Sequence, residues 1–99
     1  MASLYITEHY VPPMDNGNLI PAVTMPPIAE QKETIGGASV QSDAFNSLTR
    51  LVALHADAAC SVAFGADPTA TAANRRIAGS ITEFFTVTPG HKVAVITND

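Results

Sequence analysis

The chain has 99 residues and a mass of 10.3 kDa, the size of one small domain, which excludes a multidomain enzyme. Hydrophobic residues make up 46% and charged residues only 14%, against about 25% charged in an average globular protein, so this is a folding chain and not a disordered charged tail. The net charge is −4 and the basic residues are scattered, with only Arg75 and Arg76 adjacent, which argues against the basic face that nucleic-acid binding uses.

Residues 3–8 (SLYITE) alternate apolar and polar side chains, the period of a half-buried strand. The next stretch, 11–28, holds Pro12, Pro13, Pro21, Pro26 and Pro27. Each proline fixes φ and removes a backbone donor, so the stretch is neither a helix nor a central strand. Asp15-Asn16-Gly17-Asn18 in its middle reads as a turn, because Asn and Gly tolerate positive φ. The stretch also carries Val11, Met14, Leu19, Ile20, Val23, Met25 and Ile28. A solvated linker has no use for so many apolar groups. It reads instead as an extended arm lying along a surface, its own domain's or a neighbour's.

Short strands and turns follow. Residues 30–35 give one strand, ended by Gly36-Gly37. Residues 42–59 carry two patterns at once. A capping residue and apolar positions at Phe45, Leu48, Leu51 or Val52, and His55 approach helical spacing. Within the same segment, 49–55 (TRLVALH) sets Arg50, Val52 and Leu54 against Leu51, Ala53 and His55. The strand is preferred because the flanking chain is uniformly β; a helix would make the fold α+β. Residues 60–65 alternate Cys60, Val62 and Phe64 with Ser61 and Ala63, and 81–87 set Ile81, Glu83, Phe85 and Val87 opposite Thr82, Phe84 and Thr86. Asp67-Pro68-Thr69 has the signature of a type I turn, and Thr88-Pro89-Gly90-His91 that of a type II turn. Residues 92–97 (KVAVIT) are β-branched and mostly apolar, as in a strand covered on both sides. The expected fold is all-β: a small antiparallel β-sandwich or jelly-roll-like barrel with an extended Pro-rich N-terminal arm. Its organisation is an N-terminal strand over 1–10, the arm over 11–28 and the sandwich over 29–99, one domain in all.

Chemistry is sparse in this sequence. Cys60 is the single cysteine, so it makes no internal disulfide and suits a reducing compartment. No charged leader precedes an apolar run and no run reaches about 18 apolar residues, so a soluble, non-secreted product is expected. His9, His55 and His91 lie far apart; Glu8-His9 and His55-Ala56-Asp57 are the nearest approaches to ligand spacing, and a zinc or iron site needs three or four ligands. No metal, cofactor or small-molecule substrate is therefore expected. Cys60 alternates with core residues and reads as a small hydrophobe, no G-x-S-x-G elbow occurs, and Gly36-Gly37-Ala38-Ser39 lacks the frame of a phosphate loop. Glu83 reads as an inward polar tie to a backbone amide or an edge-strand gatekeeper in preference to a general base. With His55 and Asp57 it completes the candidates for catalysis, and no enzyme is expected. In Phe84-Phe85, adjacent rings point to opposite faces, so one enters the core and the other faces outward. An outward Phe is covered either by a partner or by the chain's own loop or arm.

Ser61-Val62-Ala63-Phe64-Gly65, Pro68-Thr69-Ala70, Glu83-Phe84-Phe85 and Pro89-Gly90-His91-Lys92-Val93-Ala94-Val95-Ile96 together resemble a group of small structural proteins of tailed bacteriophages. In that group a V-A-F-G…P-T-A strand and turn is followed by E-F/Y-F and P-P-G-x-K-V-A-V-I. The resemblance spans roughly residues 29–96; Thr88 replaces the first proline of the last motif, which leaves the turn intact. Familiar small phage β proteins are capsid cement or decoration proteins. The resemblance thus implies a virion structural protein, assembled in the host cytoplasm, that binds across major capsid protein subunits and stabilises the expanded head as a homo-oligomer, a trimer by preference. A head–tail connector or tail component forming a ring is the alternative. Neither role needs nucleic acid or membrane. The residues expected to meet the partner are Val11, Pro12, Pro13, Met14, Leu19, Ile20, Val23 and Met25 of the arm and the exposed aromatic Phe84.

Overall fold

A computed structural model describes residues 2–10, 14, 15, 18, 19 and 26–98. The strands are β1 (Ser3–His9), β2 (Met14–Asp15), β3 (Asn18–Leu19), β4 (Ala29–Thr34), β5 (Val40–Gln41), β6 (Leu51–Ala56), β7 (Cys60–Gly65), β8 (Arg75–Ile77), β9 (Ile81–Thr86) and β10 (Lys92–Thr97), with no helix among the described residues. They form two antiparallel four-stranded sheets, β4-β1-β6-β9 and β5-β10-β7-β8, and β2 with β3 makes a separate minimal ladder. The fold is all-β, as the alternation required.

The period of two builds the core. Leu4 and Ile6 of β1 and Val52, Leu54 and Ala56 of β6 face Cys60, Val62, Ile77, Val93 and Val95 from the second sheet, none more than 2% exposed. Each large apolar side chain buried there contributes roughly 1.5–3 kcal/mol. Two of the corners where the chain crosses between sheets, 57–59 and 78–80, pack together. A Cβ on Gly79 would lie 3.2 Å from Ala58 Cα, tighter than an ordinary contact, so a side chain here would push the two corners apart by a few tenths of an ångström. Next to it, Ser80 takes φ of 63° and donates its N–H to Ala56 O at 2.7 Å.

In β10, Val93, Ala94 and Val95 are buried in succession, so that strand is covered on both sides as its composition indicated. The outer cover is the 66–74 segment. Gln41 Nε2 donates to Asp67 Oδ1 (2.7 Å) and Pro68 O (2.8 Å), Ala70 N donates to Ser39 Oγ (2.8 Å), and Asn98 Nδ2 donates to Ser61 Oγ (2.7 Å) and Ala72 O (3.2 Å). The turn at Thr88–His91 is type II: His91 N donates to Thr88 O at 3.1 Å and Gly90 has φ of 82°.

Three details differ from the sequence reading. The strand expected over 49–55 begins at Leu51, and residues 42–50 are irregular, anchored by buried Phe45 and Thr49. Strands β5 and β8 were not anticipated; β8 begins with two arginines, which alternation alone does not mark as a strand. The proline-rich stretch connects β1 to β4, its antiparallel neighbour, so it leaves and rejoins the same end of the first sheet, where Ile28 N donates to Glu8 O at 2.8 Å. Within it, Met14 pairs with Leu19 and Asp15 with Asn18, which reverses the chain where the turn was expected. Val11, Pro12, Pro13, Ile20, Val23 and Met25, and the side chains of Met14 and Leu19, lie outside the described residues.

Candidate interaction face

The outer face of the first sheet follows from strand register. Lys32, Tyr5, His55 and Thr82 form one row across β4, β1, β6 and β9; Glu30, Thr7, Ala53 and Phe84 form the next; His9, Leu51 and Thr86 continue it. Tyr5 is 41% and Phe84 58% exposed. The first row is internally linked. Lys32 Nζ sits 5.5 Å from the Tyr5 ring centroid, the Tyr5 and His55 rings lie 6.4 Å apart, and His55 Nδ1 bonds Thr82 Oγ1 at 2.9 Å. At the end of β1, exposed Tyr10 is met by the Arg50 guanidinium at 5.8 Å. Such a face can bury aromatic surface and accept a few polar contacts. Among the described residues of this face no acid, base and nucleophile converge.

Phe84 therefore stands where the sequence placed it, on the outer face, while Phe85 turns inward against Phe64 with ring centroids 5.3 Å apart. The carboxylates behave differently from expectation. Glu83 points inward from β9 and pairs with Arg75 of β8, whose guanidinium also lies 5.4 Å from the Phe85 ring. It ties the edge strand of one sheet to the edge strand of the other, its partner a guanidinium and not a backbone amide. His55 lies on the opposite face of that sheet, and Asp57 accepts the Ser3 N–H at 3.3 Å. The three groups considered for catalysis thus do not share a site.

The more deeply buried carboxylate is Glu8, 1% exposed on the inner face of β1. Its Oε1 accepts from Asn46 N and Thr49 Oγ1, each at 2.8 Å, and its Oε2 accepts from Gln31 Nε2 at 2.8 Å. Gln31 Oε1 in turn accepts from Asp43 N at 2.8 Å. These bonds fasten the irregular 42–50 segment to the first sheet. The signal was present in the sequence, since Glu8 follows Leu4 and Ile6 at period two. Cys60 is fully buried, and burial pushes its thiol above the usual range; the nearby Arg76 lowers it and Glu83 raises it. Buried His9 has an Nδ1 with no hydrogen-bond partner among the described residues, and no group of three or more His, Cys, Asp or Glu there is placed to hold a metal. An opening of about 310 Å³ lies at one end of the sandwich, lined by Phe45, Phe64, Val87 and His91 among others. No protein-family model matches the chain, and neither does any curated protein or solved structure.

Proposed function

We propose that this chain is a virion structural protein of the capsid cement or decoration type, binding across neighbouring major capsid protein subunits and stabilising the expanded head. The observation that carries the reading is Phe84, an aromatic ring 58% exposed on the open face of a sheet whose inner face is packed along β1 and β6. Covering such a ring by a partner is favourable by roughly 1.5–3 kcal/mol. A small domain that engages two or three subunits at once multiplies modest contacts through high effective concentration. Binding only the expanded lattice then stabilises it by mass action, with no chemistry. The Pro-rich stretch supports the same reading, because a proline-stiffened segment loses less entropy when ordered on a partner.

The test is made on purified particles. The protein should copurify at a fixed ratio to the capsid subunit, with label spread over the head, and a chain lacking residues 11–27 should fold yet fail to attach. Absence from particles overturns the proposal. Label confined to the neck supports the connector or tail-ring role in its place, and undiminished attachment of the shortened chain removes the arm as a latch.

A further inference from the structure

We propose that two copies of this chain pair edge to edge through β9, antiparallel and centred on Phe84, joining their first sheets into one continuous sheet. The inference goes beyond the capsid reading and does not depend on it.

β9 is an edge strand of six residues. Its ladder with β6 continues into the bond from Val87 N to Arg50 O, so residues 81, 83, 85 and 87 direct their backbone groups toward β6. Thr82, Phe84 and Thr86 direct theirs away, and no described residue bonds them. Exposed edges are normally blunted by lysine, proline, a bulge or an inward-pointing charge. The outward row of β9 carries no charge and no proline, Thr82, Phe84 and Thr86 all being uncharged and exposed, and its one inward charge, Glu83, is paired with Arg75 of its own chain.

The strand is also self-complementary. Register centred on Phe84 places Phe84 against its own copy and Thr82 against Thr86, three hydrogen-bonded pairs giving about six bonds. Shifting the centre to Glu83 loses one of those pairs and opposes two like charges, which is unfavourable. In the Phe84 register Glu83 lies opposite Phe85 of the second copy. Arg75 already sits over the Phe85 ring and pairs with Glu83 in its own chain, so each carboxylate gains a second guanidinium nearby. Exposed Ile81 meets Val87 on the same side. Such a two-fold pair differs from the trimer that the phage resemblance implies.

The purified full chain, measured by light scattering across a dilution series, should show a dimer that dissociates on dilution. Thr86→Pro should abolish it while circular dichroism and the melting curve report a folded chain, because this proline removes only an outward donor. Phe84→Cys should form a disulfide-linked dimer under mild oxidation, since paired Cα atoms lie about 5.5 Å apart, within disulfide reach. Thr82→Cys should not, being opposite residue 86. Buried Cys60 does not compete. A monomer at all concentrations, a trimer, a dimer indifferent to Thr86→Pro, or equal cross-linking by Thr82→Cys overturns the proposal. Should Thr86→Pro unfold the chain, the cross-linking pattern alone decides.

Discussion

The two sheets treat their outer faces in opposite ways. The second sheet is covered by its own chain: Ser61 and Ala94, which point away from the core, are both 0% exposed beneath the 66–74 segment. The first sheet leaves Tyr5 and Phe84 open. The covered face bears small side chains (Ser61, Ala63, Ala94), which let a loop lie close and be pinned by hydrogen bonds. The open face bears large aromatics with polar threonines between them. Small residues suit intramolecular cover, whereas large exposed rings suit a surface that another protein completes. The comparison also separates the sides of the first sheet itself, since its inner side is strict and its outer side permissive.

The largest effect is expected on that strict side. Glu8→Ala leaves the part-buried Asn46 N–H and the buried Thr49 hydroxyl without their acceptor, at about 1–3 kcal/mol for a buried donor and less for the part-buried one, and chemical denaturation should show a loss of about 3 kcal/mol. Next comes the covered face. Ser61→Leu forces the 66–74 segment outward and should destabilise by about 1–3 kcal/mol, as overpacking does. Asn98→Ala should cost about 1 kcal/mol in the same assay, because it removes the bond to buried Ser61 Oγ. On the open face, Phe84→Ser should change stability by less than about 0.5 kcal/mol while weakening attachment to particles. A large stability loss there would erase the distinction between the faces.

The smallest expected effect concerns pH. Burial, and then Asp43, raise the Glu33 carboxyl above the usual range. A raised folded-state value means that the ionised form opposes folding: the cost is present above that value and disappears as pH falls through it. Glu33→Gln should therefore raise the melting temperature slightly at pH 7, with the gain fading as the solution is acidified. A gain that grows on acidification would contradict this sign.

Alternation made β1, β6 and β9 readable, because one side of each turns to the core and the period is written in their residues; β10 was readable as a β-branched apolar run, since it is buried on both sides. The outward turn of Phe84 and the type II turn at Gly90 were legible for the same local reasons. What was not legible depends on contacts distant in sequence. Residues 42–50 form no regular element because Glu8 of β1 and Gln31 of β4 hold them from two other strands. β8 exists because β7 supplies its ladder and Glu83 receives its arginine. The burial of Ser61 reflects a loop folded over it from residues 66–74. The proline-rich stretch reads as an arm from its own composition, yet pairing of β1 with β4 brings its two ends together.

The measurement closest to the central claim is hydroxyl-radical footprinting of Tyr5 and Phe84 in the free protein and on purified particles. Strong labelling of both rings in the free chain, diluted to the monomer, followed by protection on the particle, is the expected result. Equal labelling in the two states, or protection confined to the 66–74 segment, would show that the open face of the first sheet is not where the partner binds.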